Sequence, residues 1–353
     1  MPPDIIKVLV PALVSFVIGI GITPIVTHFL YTYKAWKKNP GKIALDGSVA
    51  SEFNSLHKGN EVRAPRMGGI VVWGSVLLST FFISLLATVS PHTATIKFDF
   101  LSRNQTWIPL MALIVGAMAG LVDDLMVIRV GGTGLDLKYR LFTVIVLATF
   151  IGWWFFAKLD VHTIGLPFFA PIEVGLFIIP FFILTSLALY ASGVIDGIDG
   201  LSGGVFASIF ASYTIIAFVQ HQINLAAFSA ALVGGLLAFL WFNIPPARFY
   251  MTDTGTMALT LTLAVIAFMT DTMGGGIGIF VLPIIGGLLV VTVVSDIAQV
   301  LSKKFLGRKI FRIAPLHHHF EAIGWPGYKV TMRYWVLSIM LAFLGVIIAL
   351  VGA

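Results

Sequence analysis

The chain contains no cysteine, which excludes disulfides, a thiolate metal site and a cysteine nucleophile. Charge is scarce too: Asp, Glu, Lys and Arg make up 11% of the 353 residues, against roughly 25% in a soluble domain. The N-terminus lacks a charged region followed by a short apolar core and a small-residue cleavage site, so the first apolar run is expected to stay in the mature protein. No low-complexity tract and no strong internal repeat interrupts the sequence. What remains is apolar: hydrophobic residues make up 58% and the mean hydropathy is +0.98. The class implied is an all-α integral membrane protein, read as one polytopic domain over residues 1–353.

A membrane-crossing helix needs roughly 20 mainly apolar residues. Ten runs qualify, at 8–30, 67–89, 108–122, 141–157, 172–190, 201–219, 224–243, 255–269, 277–301 and 334–352. Lys and Arg in the connections then set orientation. Segments 31–66, 123–140, 191–200, 244–254 and 302–333 fall on one side of a ten-span layout and carry 18 of them, and the other side carries four. The first set is therefore expected in the cytoplasm, with both termini extracytoplasmic.

The acids and histidines gather in those same segments. Asp123-Asp124, Asp196, Asp199, Asp253, the run His317-His318-His319 and Glu321 all fall on the basic side, most of them at or near the end of an apolar run. Polar groups from distant parts of the chain thus converge on one face, which points to a site. A transporter site would lie nearer the midplane, between related halves.

Each cluster has its own chemistry. Adjacent carboxylates at a helix end repel unless a cation compensates, and paired oxygen ligands suit Mg²⁺ with phosphates; the plainer reading is a solvated helix end. Arg129, Lys138 and Arg140 follow as candidate phosphate contacts or as ordinary positive-inside charge. Asp196-Gly197-Ile198-Asp199-Gly200 permits a tight turn and close backbone approach to a ligand, although turn chemistry alone explains Asp-Gly pairs. It is neither a Walker loop nor a calcium loop. Asp253, among Thr252, Thr254 and Thr256, can bind metal or cap a helix. Phe249 and Tyr250 can stack on a base or pack at the membrane edge. Asp296 stands alone in the ninth run, where an ionisable residue is a functional candidate. Three consecutive histidines are costly near a membrane unless they bind metal, move protons or balance charge.

The stretch from Ile310 through Ala314-Pro315-Leu316-His317-His318-His319-Phe320-Glu321 to Gly324-Trp325-Pro326 resembles the histidine motif of the phospho-N-acetylmuramoyl-pentapeptide transferase family. Pro65-Arg66-Met67-Gly68-Gly69, Asp123-Asp124, Asp196-Gly197-Ile198-Asp199-Gly200, Phe239-Leu240-Trp241-Phe242-Asn243 and Met251-Thr252-Asp253-Thr254-Gly255 follow in that family's order. The resemblance implies attack of an undecaprenyl-phosphate oxygen on the β-phosphate of UDP-N-acetylmuramoyl-pentapeptide, giving lipid I and UMP with Mg²⁺. It implies Asp123 as the base or orienting group, Asp124 as its essential neighbour and Asp253 as the metal ligand. Asn243, Asp196 and Tyr250 match the nucleotide site, and His317, His318 and His319 match the essential histidines. The partners implied are those two substrates and membrane lipid, without nucleic acid; a homodimer is left open. The nearest alternative is a sibling moving N-acetylglucosamine-1-phosphate to the same lipid.

Several positions depart from the family pattern. Tyr190-Ala191-Ser192-Gly193 replaces an Asn-containing lead-in, Thr252 stands where Gly precedes the metal-binding Asp, and Arg66 stands for the usual Thr. The basic position upstream of Pro65 is shifted, leaving Arg63 or Lys58. Thr292 takes the place of an acid that Asp296, one turn later, is placed to replace.

Overall fold

The structure is a computed structural model that describes residues 2–37, 41, 52, 54, 64–102, 105–129 and 134–352; Lys58 and Arg63 lie outside the described residues. Its helices are α1 (Pro2–Thr32), α2 (Gly69–Val89), the short α3 (Thr93–Phe98), α4 (Trp107–Ile128) and α5 (Leu137–Leu159). They continue with α6 (Ile178–Ser192), α7 (Leu201–Val219), α8 (Ile223–Asn243), α9 (Thr252–Met269), α10 (Gly278–Ile285) and α11 (Gly287–Leu306). The chain closes with α12 (Leu316–Ala322) and α13 (Gly327–Val351). Among the described residues nine helices are long and apolar enough to cross a membrane, or ten with α10 and α11 taken as one span.

The fold is the expected helical membrane bundle, with one small addition: β1 (Thr163–Leu166) and β2 (Phe169–Glu173) form an antiparallel hairpin between α5 and α6. Two of the expected spans need correction. The ninth run is not one straight helix: α10 and α11 meet at Gly286 with a bend of 67°. The third span does not end before the paired acids; α4 carries Asp123 and Asp124 inside it, more than a turn from its last residue.

Hydropathy along the spans runs against burial. The α1 span has a mean hydropathy of 2.5 and only 22% of it is buried, whereas α9 has 1.4 and is 89% buried. A helix side that faces lipid must be apolar, but α9 is buried against protein over nearly its whole length and carries threonines there. Thr260 and Thr262 donate to the carbonyls of Thr256 and Ala258, so their hydroxyls are satisfied within the helix.

Close approach of α4 to α9 depends on two glycines a turn apart. A Cβ on Gly116 would strike the backbone of Met257 and Ala258, and one on Gly120 that of Asp253 and Thr254. Small residues four apart let membrane helices pack backbone to backbone. That contact sets Asp123 and Asp124, on the next turn of α4, against the start of α9.

At the opposite end of the bundle one buried carboxylate ties the hairpin to the helices. Asp271 accepts from Gly165 N (2.7 Å) through Oδ1 and from Ile279 N (2.9 Å) through Oδ2. Burial outweighs these hydrogen bonds and pushes its pKa up to about 6. With the folded pKa above the unfolded one, the folded state holds the proton more tightly. The contribution is therefore complete below about pH 4 and lost as pH rises to about 6, at most about 3 kcal/mol. Asp271→Asn is expected to remove this part of the pH dependence of thermal unfolding. An unchanged slope between pH 4 and 6 would show that Asp271 does not titrate there.

Candidate active site

The acidic end is built where α4, the start of α9, the Pro65–Gly69 segment and the turn after α6 meet. Pro65–Gly69 is laced to the approach to α9: Tyr250 N donates to Pro65 O (2.9 Å), Gly68 N to Tyr250 O (2.7 Å) and Gly69 N to Met251 O (3.2 Å). A Cβ on Gly69 would collide with the backbone of Gly255, so this contact requires glycine.

Asp123, Asp124 and Asp253 each offer a carboxylate oxygen within 4.8 Å of the others. Asp123 and Asp124 are fully buried, and Asp253 is partly open. The two outer acids are only lightly held. Asp123 accepts from Leu135 N (2.7 Å) through Oδ1, while Oδ2 lies 3.0 Å from Arg140 Nη2. Arg140 Nη1 reaches Asp253 Oδ2 at 3.4 Å, so one guanidinium spans both acids. Its Nε is fixed by Leu135 O at 2.8 Å, and the Tyr190 hydroxyl is hydrogen-bonded to it as well. The carboxylates of Asp123 and Asp253 themselves lie within 4.8 Å of each other. Two carboxylates so close require a cation or a proton between them, and hard oxygen ligands at this spacing fit Mg²⁺.

Asp124 is different: both of its oxygens are heavily engaged. Oδ1 accepts from Arg66 Nε (3.0 Å) and Nη2 (2.8 Å). Oδ2 accepts from Thr252 Oγ1 (2.5 Å), Thr254 N (2.9 Å) and Thr254 Oγ1 (2.6 Å). Burial alone would lower the pKa of Arg66, but Asp124 and Asp253 outweigh it and raise it.

Thr252 joins the two halves of the site. Its N–H donates to Asp196 Oδ2 (2.8 Å), its hydroxyl donates to Asp124, and the same oxygen accepts from Met67 N (3.0 Å). It adopts φ +52, a left-handed conformation unfavourable for a β-branched residue. These hydrogen bonds offset that strain at a position where the resemblance leads one to expect glycine. Asp196 also accepts from Ser202 Oγ (2.6 Å); burial raises its pKa and these two bonds oppose the rise.

The histidine stretch is a helix. Ser295, Gln299 and Ser302, spaced along one face of α11, hold the irregular segment leading into it. Leu316 N donates to Ser295 Oγ, Ile310 N and Phe311 N to Gln299 Oε1, and Ser302 Oγ to Arg308 O. Consecutive helical residues point about 100° apart, so the three rings diverge. His317 and His318 are buried, with ring centroids 4.4 Å apart. Both Nε2 atoms crowd the Gly197 backbone, where a Cβ would lie 2.5 Å from His318 and 2.7 Å from His317. Glu321 Oε2 holds His318 Nδ1 at 2.7 Å. His319 turns the other way, against Phe311, and its Nδ1 accepts from Arg312 N (3.2 Å).

The remaining sequence candidates fall into two groups. Asn243 is buried and both ends of its amide hold backbone: Oδ1 accepts from Gly200 N and Nδ2 donates to Phe249 O, each at 2.8 Å. Tyr250 lies half-buried beside the Pro65–Gly69 segment, whereas Phe249 is core, packed on Phe239 and Phe242. Lys138 and Arg129 are exposed, and Lys138 lies 3.8 Å from Asp136, away from the acids. Asp296 is half-buried on α11, a turn beyond the fully buried Thr292, whose hydroxyl donates to Leu288 O. Arg66 and Thr252 were visible in the sequence only as departures from the family motifs.

A polytopic helical bundle with a buried acidic cluster and guanidinium groups at one end defines a membrane transferase equipped for phosphate chemistry. Comparison with known proteins agrees. The profile of glycosyl transferase family 4 matches residues 106–271. The phospho-N-acetylmuramoyl-pentapeptide-transferase of Bacillus cytotoxicus is 31% identical over 345 residues, covering 96% of this chain and 97% of that one. Those of Bacillus anthracis (32%) and Bacillus mycoides (31%) match over 344 residues with the same coverage. The chain belongs to glycosyl transferase family 4, the polyprenyl-phosphate sugar-1-phosphate transferases.

Proposed function

We propose that the protein transfers phospho-N-acetylmuramoyl-pentapeptide from UDP to undecaprenyl phosphate, giving lipid I and UMP, at the cytoplasmic face of a bacterial membrane. The observation that carries this reading is one continuous site. Asp123, Asp124 and Asp253 meet within 4.8 Å, Thr252 links them to Asp196, and the His317-His318 pair packs on the adjoining Gly197. The distribution of Lys and Arg, 18 on the side of the site and four on the other, supports the cytoplasmic placement.

In this reading a phosphate oxygen of the lipid bonds to the β-phosphorus of the donor, and the bond from that phosphorus to the bridging oxygen breaks, releasing UMP. Asp123 and Asp253 would hold Mg²⁺, which supplies charge neutralisation at the phosphates. Asp123 orients the lipid phosphate, already ionised near neutral pH, so proton removal is a minor part of its work. Arg140, fixed between Asp123 and Asp253, keeps the two acids apart from direct repulsion and presents a guanidinium to phosphate oxygens. His317 and His318 donate to, or balance, the charge building on the phosphates. Glu321 fixes the tautomer and tilt of His318 through Nδ1, leaving Nε2 toward the site.

Mg²⁺-dependent UMP release, followed with undecaprenyl phosphate and each of two donors, tests the reading. Release is expected with UDP-N-acetylmuramoyl-pentapeptide and to stop with EDTA. Release only with UDP-N-acetylglucosamine would assign the chain to the sibling reaction.

A further inference from the structure

Arg66 stands where the resemblance leads one to expect threonine, and it sits against the most heavily bonded carboxylate of the site. We propose that Arg66 is a tethered cation that competes with the divalent metal for the acidic cluster. It removes Asp124 from the metal's ligands, so that tight metal binding requires the donor's diphosphate. This rests on the part of the functional reading that makes the cluster a metal site and not on which sugar is moved.

The geometry supplies the reasons. Both Arg66 donors fall on the same oxygen, Asp124 Oδ1, at 2.8 and 3.0 Å. Three donors from Thr252 and Thr254 take Oδ2. A carboxylate has about four acceptor positions, and five donors crowd the two oxygens of Asp124, which leaves it the least open of the three acids to a metal. Asp123 and Asp253 retain theirs and are near enough to each other to share one ion. The cluster then carries three carboxylates against the guanidinium groups of Arg66 and Arg140, leaving roughly one net negative charge to attract a divalent ion. Arg66 is also largely buried, which strengthens its field at the other two acids.

The diphosphate changes this balance. It brings two or more negative charges and oxygen ligands for the ion, and guanidinium groups pair readily with phosphate oxygens. Phosphate and metal therefore enter together, with Arg66 able to leave Asp124 Oδ1 for a phosphate oxygen. Thr252 and Thr254 keep Asp124 in place when it does.

The test is Mn²⁺ binding to the full-length purified protein, read from the free-ion electron paramagnetic resonance signal, with and without UDP. Mn²⁺ held by UDP in solution is subtracted. The wild type is expected to bind Mn²⁺ at least about tenfold more tightly with UDP present, since the competing charge is engaged elsewhere. Without UDP, Arg66→Thr and Arg66→Gln are expected to bind about tenfold or more tightly than the wild type. Arg66→Lys, which keeps the charge, is expected to stay near it. Equal affinity in the wild type with and without UDP would overturn the proposal, and this arm needs no variant to fold. Equal affinity of the wild type and folded Arg66→Thr or Arg66→Gln would overturn it as well. Absence of Mn²⁺ binding in every protein, with or without UDP, would instead remove the cluster as a metal site.

Discussion

Asp123→Asn is expected to lower the rate of UMP formation by about a thousandfold or more, the scale for losing a charged group that positions reactant and metal together. The substitution is conservative in shape. An Asn can keep the bond from Leu135 N through its own Oδ1, so Leu135 should stay in place. What it loses is the charge at Oδ2, which faces Arg140 at 3.0 Å. It also loses the second carboxylate beside Asp253. If the amide nitrogen takes the Oδ2 position, donor meets donor and Arg140 is repelled toward Asp253. Turnover should therefore collapse while thermal unfolding changes little. Turnover within tenfold of wild type would mean that Asp123 neither orients the lipid phosphate nor holds the metal.

Gly197→Ala is expected to reduce turnover about a hundredfold, the scale for displacing reacting groups by about 1 Å. Gly197 does not have a positive φ, so alanine is compatible with its backbone and the effect reads out contact, not local strain. The added methyl would lie 2.5 and 2.7 Å from the Nε2 atoms of His318 and His317. His318 cannot simply swing away, because Glu321 holds its other nitrogen and the ring is buried. A shift of α12 as a unit relieves the methyl. Relaxing the clasp with Glu321→Gln in the same chain should then recover part of the rate. Wild-type turnover in Gly197→Ala would show that the position of the two rings does not matter to the reaction.

Legibility in the sequence divides along physical lines. The spans could be read because lipid contact imposes hydrophobicity over about 20 residues regardless of what the helix packs against. The exceptions are the places where protein replaces lipid. Residue 122 looked like the end of the third span because charges follow, yet Arg66, Thr252 and Thr254 satisfy Asp124 and let α4 continue to Ile128. The bend at Gly286 lies within one apolar run; Pro283 and Gly286-Gly287 stand at the break, but membrane helices tolerate Pro and Gly, so hydropathy alone reads a single span. The hairpin at 163–173 is too short and too exposed on β2 to leave a strong alternating pattern.

The site shows the same division. Residue type alone made Asp123, Asp253 and the histidines candidates, because carboxylates and imidazoles near a membrane are retained where they have partners. Type could not distinguish their roles. Asn243 spends both ends of its amide on backbone, and Lys138 lies out on the surface.

By itself the sequence determined a cysteine-free membrane bundle, its spans with ends up to seven residues off, and the gathering of acids, histidines and basic residues in one set of connections. Only the tertiary structure decided which of these groups meet. Gly116 and Gly120 bring α4 onto α9 and so set Asp123 beside Asp253, a contact between residues 130 positions apart that no local pattern records. Helical geometry splits three adjacent histidines into two that face Gly197 and one that faces away. Arg66, an apparent misfit in its motif, acquires meaning only when folding brings Asp124 within 2.8 Å. Solvation by lipid acts on each segment separately and leaves its mark on composition, whereas a site is a set of distances between segments, and those are fixed by packing.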